Sequence, residues 1–297
     1  MRFEHLDLNL LVALDVLLDE CNITRAAERL NMTQSATSGV LRRLRLFFED
    51  DLLVQVGRKM QPTPYALQLQ KPVREVMLKI RSNIINKRTF DPATAVRHFR
   101  IASADFIITV LLQDVLREIQ SEAPGLTFEI MTPFLLTVER GEVDFVLVPQ
   151  RYTVEGHPSE LLFEEEHVCV VCANNPLVGD TISFEQYIEM GHVSVGFGSR
   201  QLSIEDWFMK QYDVKRRIEV ISNDFNTLPQ LVLGTNRIAT MHKRLAEYYA
   251  QYLPIRILPT PVELPVMREH IQWHRALEND PLHSWVRHKI QSAAARL

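Results

Sequence analysis

Residues 31–44 read NMTQSATSGVLRRL, and their reading decides how the N-terminal third of this 297-residue chain folds. Small polar side chains run from Thr33 to Ser38, and two arginines, Arg42 and Arg43, follow. A helix that only covered a core would not carry this surface. Helical spacing turns Ala36, Val40, Leu41 and Leu44 inward. Thr33 suits the N-cap of a helix running from Gln34 to about Phe47, and Asn31 tolerates the left-handed backbone of a tight turn. Upstream, Asn22 or Thr24 can cap TRAAERL, whose Ala26, Ala27 and Leu30 face inward, with the alanine pair permitting close packing. Before that, LDLNLLVALDVLLDE (6–20) sets Leu10, Leu14, Leu17 and Leu18 on one face. Two short helices joined by a tight turn, the second polar on its outer face, make a helix-turn-helix.

In that motif the second helix enters the DNA major groove, with its first residues at the base edges. Gln34 can pair with adenine, while Thr33, Ser35, Thr37 and Ser38 are short enough to let the helix approach. Arg42 and Arg43, further along, can neutralise phosphates or reach guanine. The alternative is a solvated helix face beside a capping box; the alanine pair, turn and hydroxyl cluster at one spacing favour DNA.

DDLLVQVGRKMQPTP (50–64) follows, alternating around Gly57 as a two-stranded wing with Arg58 and Lys59 at its tip for the DNA backbone. Thr63-Pro64 then opens a long helix. Leu69, Val73, Val76, Met77, Ile80 and Ile84 keep one apolar stripe over about 24 residues, roughly 36 Å. Pro72 should bend it. A stripe on a lone helix wants a partner helix, so 63–90 reads as a dimerisation arm ended by Asp91-Pro92.

Charge divides the chain the same way. Residues 21–90 hold 13 Lys+Arg against 5 Asp+Glu, while 91–297 hold 19 against 27. An anionic partner is implied for the first part only. No apolar run approaches the roughly 18 residues of a membrane span, so a cytoplasmic protein with no membrane partner is expected. Three cysteines give no disulfide framework. Cys169 and Cys172 lie in an apparent strand, where positions three apart point to opposite faces and cannot share a metal.

LDLNLLVALDVLLDE, ITRAAERLNMTQSATSGVLRRLR and LLVQVGRKMQPTPYALQL together resemble the N-terminal module of LysR-type transcriptional regulators. DLNLL and the junction R-x-M-Q-P-T-P-Y-A are similar to the branch of nodulation and aromatic-degradation regulators. Two positions depart from the pattern: Ser35, where proline is usual, and Gly39, which costs about 1 kcal/mol of helix stability relative to Ala. The resemblance implies a winged helix-turn-helix domain rich in α-helix (1–62), a linker helix (63–90) and an α/β effector domain of periplasmic-binding-protein type (91–297). That domain would have two subdomains, 91–160 with 263–297 and 161–262, crossing near Gly156–Leu161 and Pro259–Pro265. Promoter DNA, a small aromatic effector, dimers and tetramers of the chain itself, and RNA polymerase are the implied partners.

The residues after 91 agree. Strands read at 98–104, 126–131, 143–148, 167–172, 192–196, 217–221, 237–240 and 255–258 alternate with helical patterns, as in a largely parallel α/β sheet. EHIQWHRA reads as a late strand and DPLHSWVRHKIQSAAA as a closing surface helix carrying His283 and His288. Ligands in such folds sit beyond strand C-terminal ends. Those ends offer Ser103, Asp105, Phe106, Thr132 and Pro133 from one half. The other half offers Phe197, Gly198, Ser199, Phe225, Asn226 and His242. Rings mixed with hydroxyl, amide and imidazole groups suit an aromatic molecule bearing hydroxyl or carboxyl substituents. The rings at Phe106, Phe197 and Phe225 can equally be core.

His270 and His274, four apart in a strand, stand about 13 Å apart, too far for one ion. Glu164-Glu165-Glu166 reads as a solvated run. No nucleotide-binding, serine-hydrolase or zinc-protease motif occurs, so no catalytic residue, metal ligand or cofactor is assigned. The rival reading is an α/β small-molecule-binding protein or enzyme with a helical appendage, for which Asp105 and His242 are the one available pair.

Overall fold

A computed structural model describes residues 7–57, 59–80, 90–133, 138–139, 141–196, 211–213 and 215–297. Arg58, Ile84, Phe197, Gly198 and Ser199 lie outside the described residues. So do residues 81–89, over which the linker helix was expected to continue.

The N-terminal module opens with helices α1 (Asn9–Glu20), α2 (Ile23–Arg29) and α3 (Gln34–Phe48). Asn22 caps α2 by accepting the amides of Thr24 and Arg25, and Thr33 caps α3 through Ala36. Between them Asn31 sits at φ 53°, the left-handed turn its side chain tolerates. Leu10, Leu14, Leu17, Ala26, Leu41 and Leu44 meet in one core. The inward row of α3 is Thr37, Leu41 and Leu44; Ala36 is exposed, so the sequence reading of that face is about one position off. Strands β1 (Leu53–Val56) and β2 (Lys59–Pro62) form the antiparallel wing, turned at Gly57 with φ 64°.

Helix α4 (Pro64–Ile80) carries Pro72 within it, and Thr63 caps it through the amide of Ala66. Its apolar stripe is divided. Val73 and Met77 pack into the core beside α1 instead of facing outward, while Leu67 and Val76 stay exposed. Arg74, on the inward side, is 7% exposed and pairs with the equally buried Asp15 at 2.8 Å and with Asp19 at 3.4 Å.

The larger part of the chain holds two five-stranded sheets. The first runs β4 (Leu126–Met131), β3 (Arg97–Ser103), β5 (Phe145–Pro149), β12 (Met267–Gln272), β6 (Ser159–Glu165). The second runs β11 (Ile255–Leu258), β7 (His167–Cys172), β10 (Ile238–His242), β8 (Gly191–Val195), β9 (Arg217–Ser222). In each sheet two pairings are parallel and two antiparallel, so the sheets are mixed and not largely parallel. The antiparallel pairings arise because β12 returns to the first sheet between β5 and β6, and β7 enters the second beside β10 and β11.

Helices α5 (Asp105–Ile107) and α6 (Gln113–Glu122) are joined by a π-helical stretch, Ile108–Leu112. Helix α7 (Phe184–Glu189) precedes β8, α8 (Leu228–Val232) precedes β10, α9 (Lys243–Ala250) follows it, and α10 (Pro281–Ala294) closes the chain. Phe99, Ile101, Phe145, Leu147, Ile271 and Trp273 of the first half share one buried cluster with Val168, Val170, Met241 and Leu245 of the second. Cys169 and Cys172 lie in β7, in agreement with the strand reading of that stretch.

Four expectations are corrected. Strand β6, unread in the sequence, pairs with β12, so the chain leaves the first sheet after Glu165 and not near Gly156–Leu161. The late strand ends at Gln272, and His274 caps a 3-10 turn. Glu165 is fully buried inside its supposedly solvated run, because alternation in β6 turns it to the covered face. His283 is also fully buried, stacked 4.1 Å from the Phe145 ring and bonded to the Asp144 carbonyl; only His288 faces outward.

The Arg74–Asp15 pair yields a stability prediction. Asp15→Ala leaves a guanidinium buried with less compensation and should cost about 3–5 kcal/mol, whereas Asp15→Leu with Arg74→Met should recover most of it. Thermal unfolding of the two variants checks this; equal losses would mean the charges do not act as a pair.

Candidate functional site

The outer face of α3 is the first candidate. Gln34, Ser35 and Ser38 are exposed, as are Thr33, Arg42 and Arg43. Arg43 pairs with the exposed Asp7 at 3.4 Å. Thr37 is corrected: it is fully buried and its hydroxyl donates to the Thr33 carbonyl at 3.1 Å, so it braces the first turn and reads no base. Gly39 has nothing within 4 Å of where a Cβ would stand, so it leaves a bare patch on this surface. Lys59 is exposed at the start of β2. Arg45 holds the wing to α3, donating to the carbonyls of Asp51 at 2.8 Å and Leu53 at 2.7 Å. Sequence reading passed over Arg45, whose neighbour arginines have the freer positions. The surface offers short hydroxyl groups, one amide and cations, with the wing beside it, which matches what a duplex groove and its phosphates require.

The second candidate is the seam between the two sheets, at the C-terminal ends of β3, β5, β8 and β10. Asp105, first residue of α5, reaches across it. Its carboxylate accepts the backbone amides of Phe225 at 3.1 Å and Asn226 at 2.8 Å, and the Asn226 side-chain amide at 2.7 Å. The Asn226 oxygen accepts the hydroxyls of Thr109, 2.8 Å, and Tyr249, 3.0 Å. Thr109 lies in the π-helical stretch, and a wide turn of this kind often marks a functional position.

Behind that strut, Phe106 is 2% exposed and lies flat on His242, with centroids 3.7 Å apart and planes 5° apart. Phe225 stands edge-on to both rings, 4.5 Å from His242 and 5.7 Å from Phe106. His167 follows at 5.4 Å from His242, its partner in the β7–β10 ladder. Burial holds His242 well below the ordinary imidazole range, with the neighbouring His167 adding to the effect. Burial, then the charge of Arg151, lowers His167 to about 4. Both rings are therefore neutral near pH 7.

Five residues expected at the cleft, Asp105, Phe106, Phe225, Asn226 and His242, thus meet across the seam. Ser103 is buried and its hydroxyl turns to the Ala104 carbonyl at 3.1 Å. Thr132 is exposed and Pro133 half-buried, just past the end of β4. This arrangement speaks against the catalytic alternative, because both Asp105 oxygens already accept hydrogen bonds and the His242 ring is sandwiched.

Sequence reading missed the groups where the chain crosses between sheets. Glu165 accepts the Arg244 backbone amide at 3.0 Å and its guanidinium at 2.6 Å. Burial still raises its carboxyl, the Arg244 contacts opposing. Glu269 is fully buried, and burial followed by the charge of Glu165 pushes it up to about 8, with Arg151 opposing. Nothing in the local sequence announces these contacts, which join residues roughly 80 to 100 positions apart. Among the described residues no group of acidic, histidine and cysteine side chains could hold a metal ion, and no helix is long and apolar enough to cross a membrane.

Comparison with known proteins agrees with both halves of this architecture. The family described as LysR substrate binding domain matches residues 93–295, and that described as bacterial regulatory helix-turn-helix protein, lysR family, matches residues 8–67. Nodulation protein D 1 of Rhizobium tropici is 42% identical over 301 residues, covering 100% of this chain and 98% of its own. Nodulation protein D 3 of Rhizobium leguminosarum bv. phaseoli is 41% identical, covering 100% of both chains. Among solved structures, a probable transcriptional regulator from Pseudomonas aeruginosa superposes with TM-score 0.72 at 24% identity, covering 98% of each chain. CbnR complexed with its target DNA does so with TM-score 0.52 at 12% identity, covering 97% of this chain and 100% of that one. The chain belongs to the LysR family of transcriptional regulators, with a lysR-type helix-turn-helix followed by a two-subdomain α/β substrate-binding domain.

Proposed function

We propose that this regulator binds promoter DNA through α3 and the wing, and that a small aromatic effector held between the α/β subdomains alters how it binds. The observation that carries the reading is the cross-seam arrangement of Asp105, Phe106, Phe225, Asn226 and His242. Aromatic faces and a strut of four hydrogen bonds there join two halves that a ligand can spread or draw together. Thr132 and the segment containing Phe197, Gly198 and Ser199 supply the rest of the pocket. The resemblance of DLNLL and the junction R-x-M-Q-P-T-P-Y-A to the branch of nodulation and aromatic-degradation regulators supports an aromatic ligand.

On this reading α4 pairs two chains through its outward residues, Leu67 and Val76, and the effector domains join dimers into tetramers. Four helix-turn-helix modules then occupy half-sites spaced by whole helical turns. The effector binds two tetramer arrangements with unequal affinity and so shifts their populations, changing DNA bend and access for RNA polymerase. Domain limits at 1–62, 63–90 and 91–297 go with this division of labour, the subdomain crossing following Glu165.

Base reading and phosphate contact separate by mutation. Gln34→Ala should change preference at one base pair, costing roughly 1–3 kcal/mol on the favoured sequence, while Arg42→Ala should weaken all sequences alike and lower the salt slope by about one. Binding isotherms on matched and scrambled duplexes over a salt series check this. Identical behaviour of the two variants would remove Gln34 from base readout.

The pocket is tested with a panel of phenols, hydroquinones, salicylates and flavonoids. Thr132→Val and Phe197→Ala should each lose affinity for the binding compound while the melting temperature stays close to that of the parent. Retained affinity with a collapsed melting temperature would make them core residues.

A further inference from the structure

The linker helix meets the effector domain beside a pair of histidines that neither the DNA surface nor the cleft uses. His274, 4% exposed, caps the 3-10 turn Arg275–Leu277 that follows β12, and its Nδ1 accepts the Ala276 amide at 3.2 Å. His157 is half-buried in the loop before β6, with its ring centroid 4.6 Å from that of His274. Its Nδ1 accepts the Arg275 amide at 3.3 Å, so the two imidazoles hold consecutive amides of one turn. Gln272 pins the loop to the end of β12. It donates to the carbonyls of Val154 at 2.8 Å and His157 at 3.2 Å, and accepts the Val154 amide at 2.9 Å. Helix α4 packs on the same turn, Cα atoms of the two coming within 8 Å.

Hydrogen bonding fixes the protonation state of both rings. An Nδ1 that accepts a backbone N–H must offer a lone pair, so each ring is neutral with its proton on Nε2. A proton added to Nδ1 would set one N–H against another and break the bond. Two imidazolium ions with centroids 4.6 Å apart would also repel each other. The surrounding charges are mixed. From α4, Lys71 opposes a proton on either ring and Lys79 one on His274, while Glu75 favours both. Arg275, in the turn itself, opposes one on His157, and Glu139 favours it. Burial, with His157 and the two lysines adding, lowers His274 to about 4, and burial lowers His157 as well.

We propose that His157 and His274 form a pH-sensitive latch between the linker helix and the effector domain, closed while both imidazoles are neutral and released when acid charges one of them. Charging His274 removes the cap of the turn, and charging His157 frees the Arg275 amide. Either loss loosens the surface on which α4 rests. Because α4 follows the wing directly, release weakens one of the contacts that set the helix-turn-helix against the first sheet. Proton concentration thereby becomes an input to the regulator separate from any ligand in the cleft.

The lowered values set the sign of the pH dependence. In the open turn an imidazole titrates at its ordinary 6.5, whereas the closed turn holds His274 at about 4, so the open form binds more protons between these values. The latch is fully effective above about pH 6.5 and is lost progressively as pH falls toward about 4. Going from about pH 7.5 to about pH 5 should move the balance toward the open form roughly tenfold or more.

Amide hydrogen exchange of the full chain, corrected for the pH dependence of the intrinsic rates, reads the latch locally. Melting of the whole molecule would not isolate it, because burial also keeps His167, His192, His242 and His283 neutral. Between about pH 7.5 and about pH 5, residues 274–278 and 71–80 should lose protection together, roughly tenfold or more, while α6 keeps its own. The double variant His157→Asn, His274→Asn retains side-chain acceptors that do not titrate, so exchange in both segments should no longer respond to pH. His274→Ala should be as open at about pH 7.5 as the parent is in acid. If that variant does not fold, the asparagine pair still decides. Acid that leaves either segment of the parent as protected as before, or the same acid loss in the asparagine pair as in the parent, overturns the latch.

Discussion

Asp19 is the point on which the two ends of the molecule depend. Its carboxylate bonds Arg29 of α2, sits 3.4 Å from Arg74 of α4 and 3.6 Å from Arg100 of β3. Burial opposes its charge, but the Arg29 bond and the fields of Arg74, Arg29 and Arg100 prevail and hold it below the ordinary carboxylate value. One side chain on α1 therefore touches the helix that precedes the recognition helix, the linker and the effector domain. Arg100 continues the path to Glu129 of β4 at 2.9 Å, and its backbone amide is held by Asp144 at 2.9 Å. Asp144 in turn binds Arg97 at 2.8 Å, and Arg97 binds Asp280 at the start of α10 at 2.6 Å. A contiguous set of ion pairs, bridged between Arg100 and Asp144 by a backbone hydrogen bond, thus runs from the DNA-binding module through the first sheet. Such contiguity is a physical connection, and a shift of the subdomains has something to push on.

The linker helix has two unlike sides that a single stripe could not reveal. Its inward side is fixed by Val73 and Met77 in the core and by the Arg74 ion pair, and its outward side keeps Leu67 and Val76 uncovered. Gly141 reinforces the same contact from the effector domain, since at φ 61° it would press a Cβ to within 2.6 Å of Leu78. The helix is thereby held to both domains of its own chain, while Leu67 and Val76 stay exposed on its other side.

The sequence was most legible where local rules decide structure. The caps at Asn22 and Thr33, the left-handed Asn31 and the Gly57 turn are set by neighbours a few residues away, so the helix-turn-helix and wing were readable. The one lapse there, Thr37 for Ala36, comes from a helical phase that fifteen residues with a glycine in the middle define only loosely. In the α/β domain, strand positions were legible but their partners were not. Strand β6 ends in a glutamate run that looks solvated, although β12 and α9 cover Glu165. Five of the residues chosen by strand ends, Asp105, Phe106, Phe225, Asn226 and His242, meet one another, yet whether Phe106 and His242 face a ligand or each other depends on the distance between two sheets, which no local pattern records. Glu269 and Glu165 were invisible for the same reason: their chemistry comes from burial and long-range proximity.

The central claim is that ligand in the cleft changes how α3 and the wing engage DNA. The most direct measurement is a nuclease footprint of the full chain on the DNA upstream of its own gene, with and without a compound shown to bind the cleft. The account predicts two protected half-sites spaced by whole helical turns in both conditions, with cleavage between them altered by the compound as the bend changes. An identical footprint with the cleft filled and unfilled, or no protected site, would contradict it.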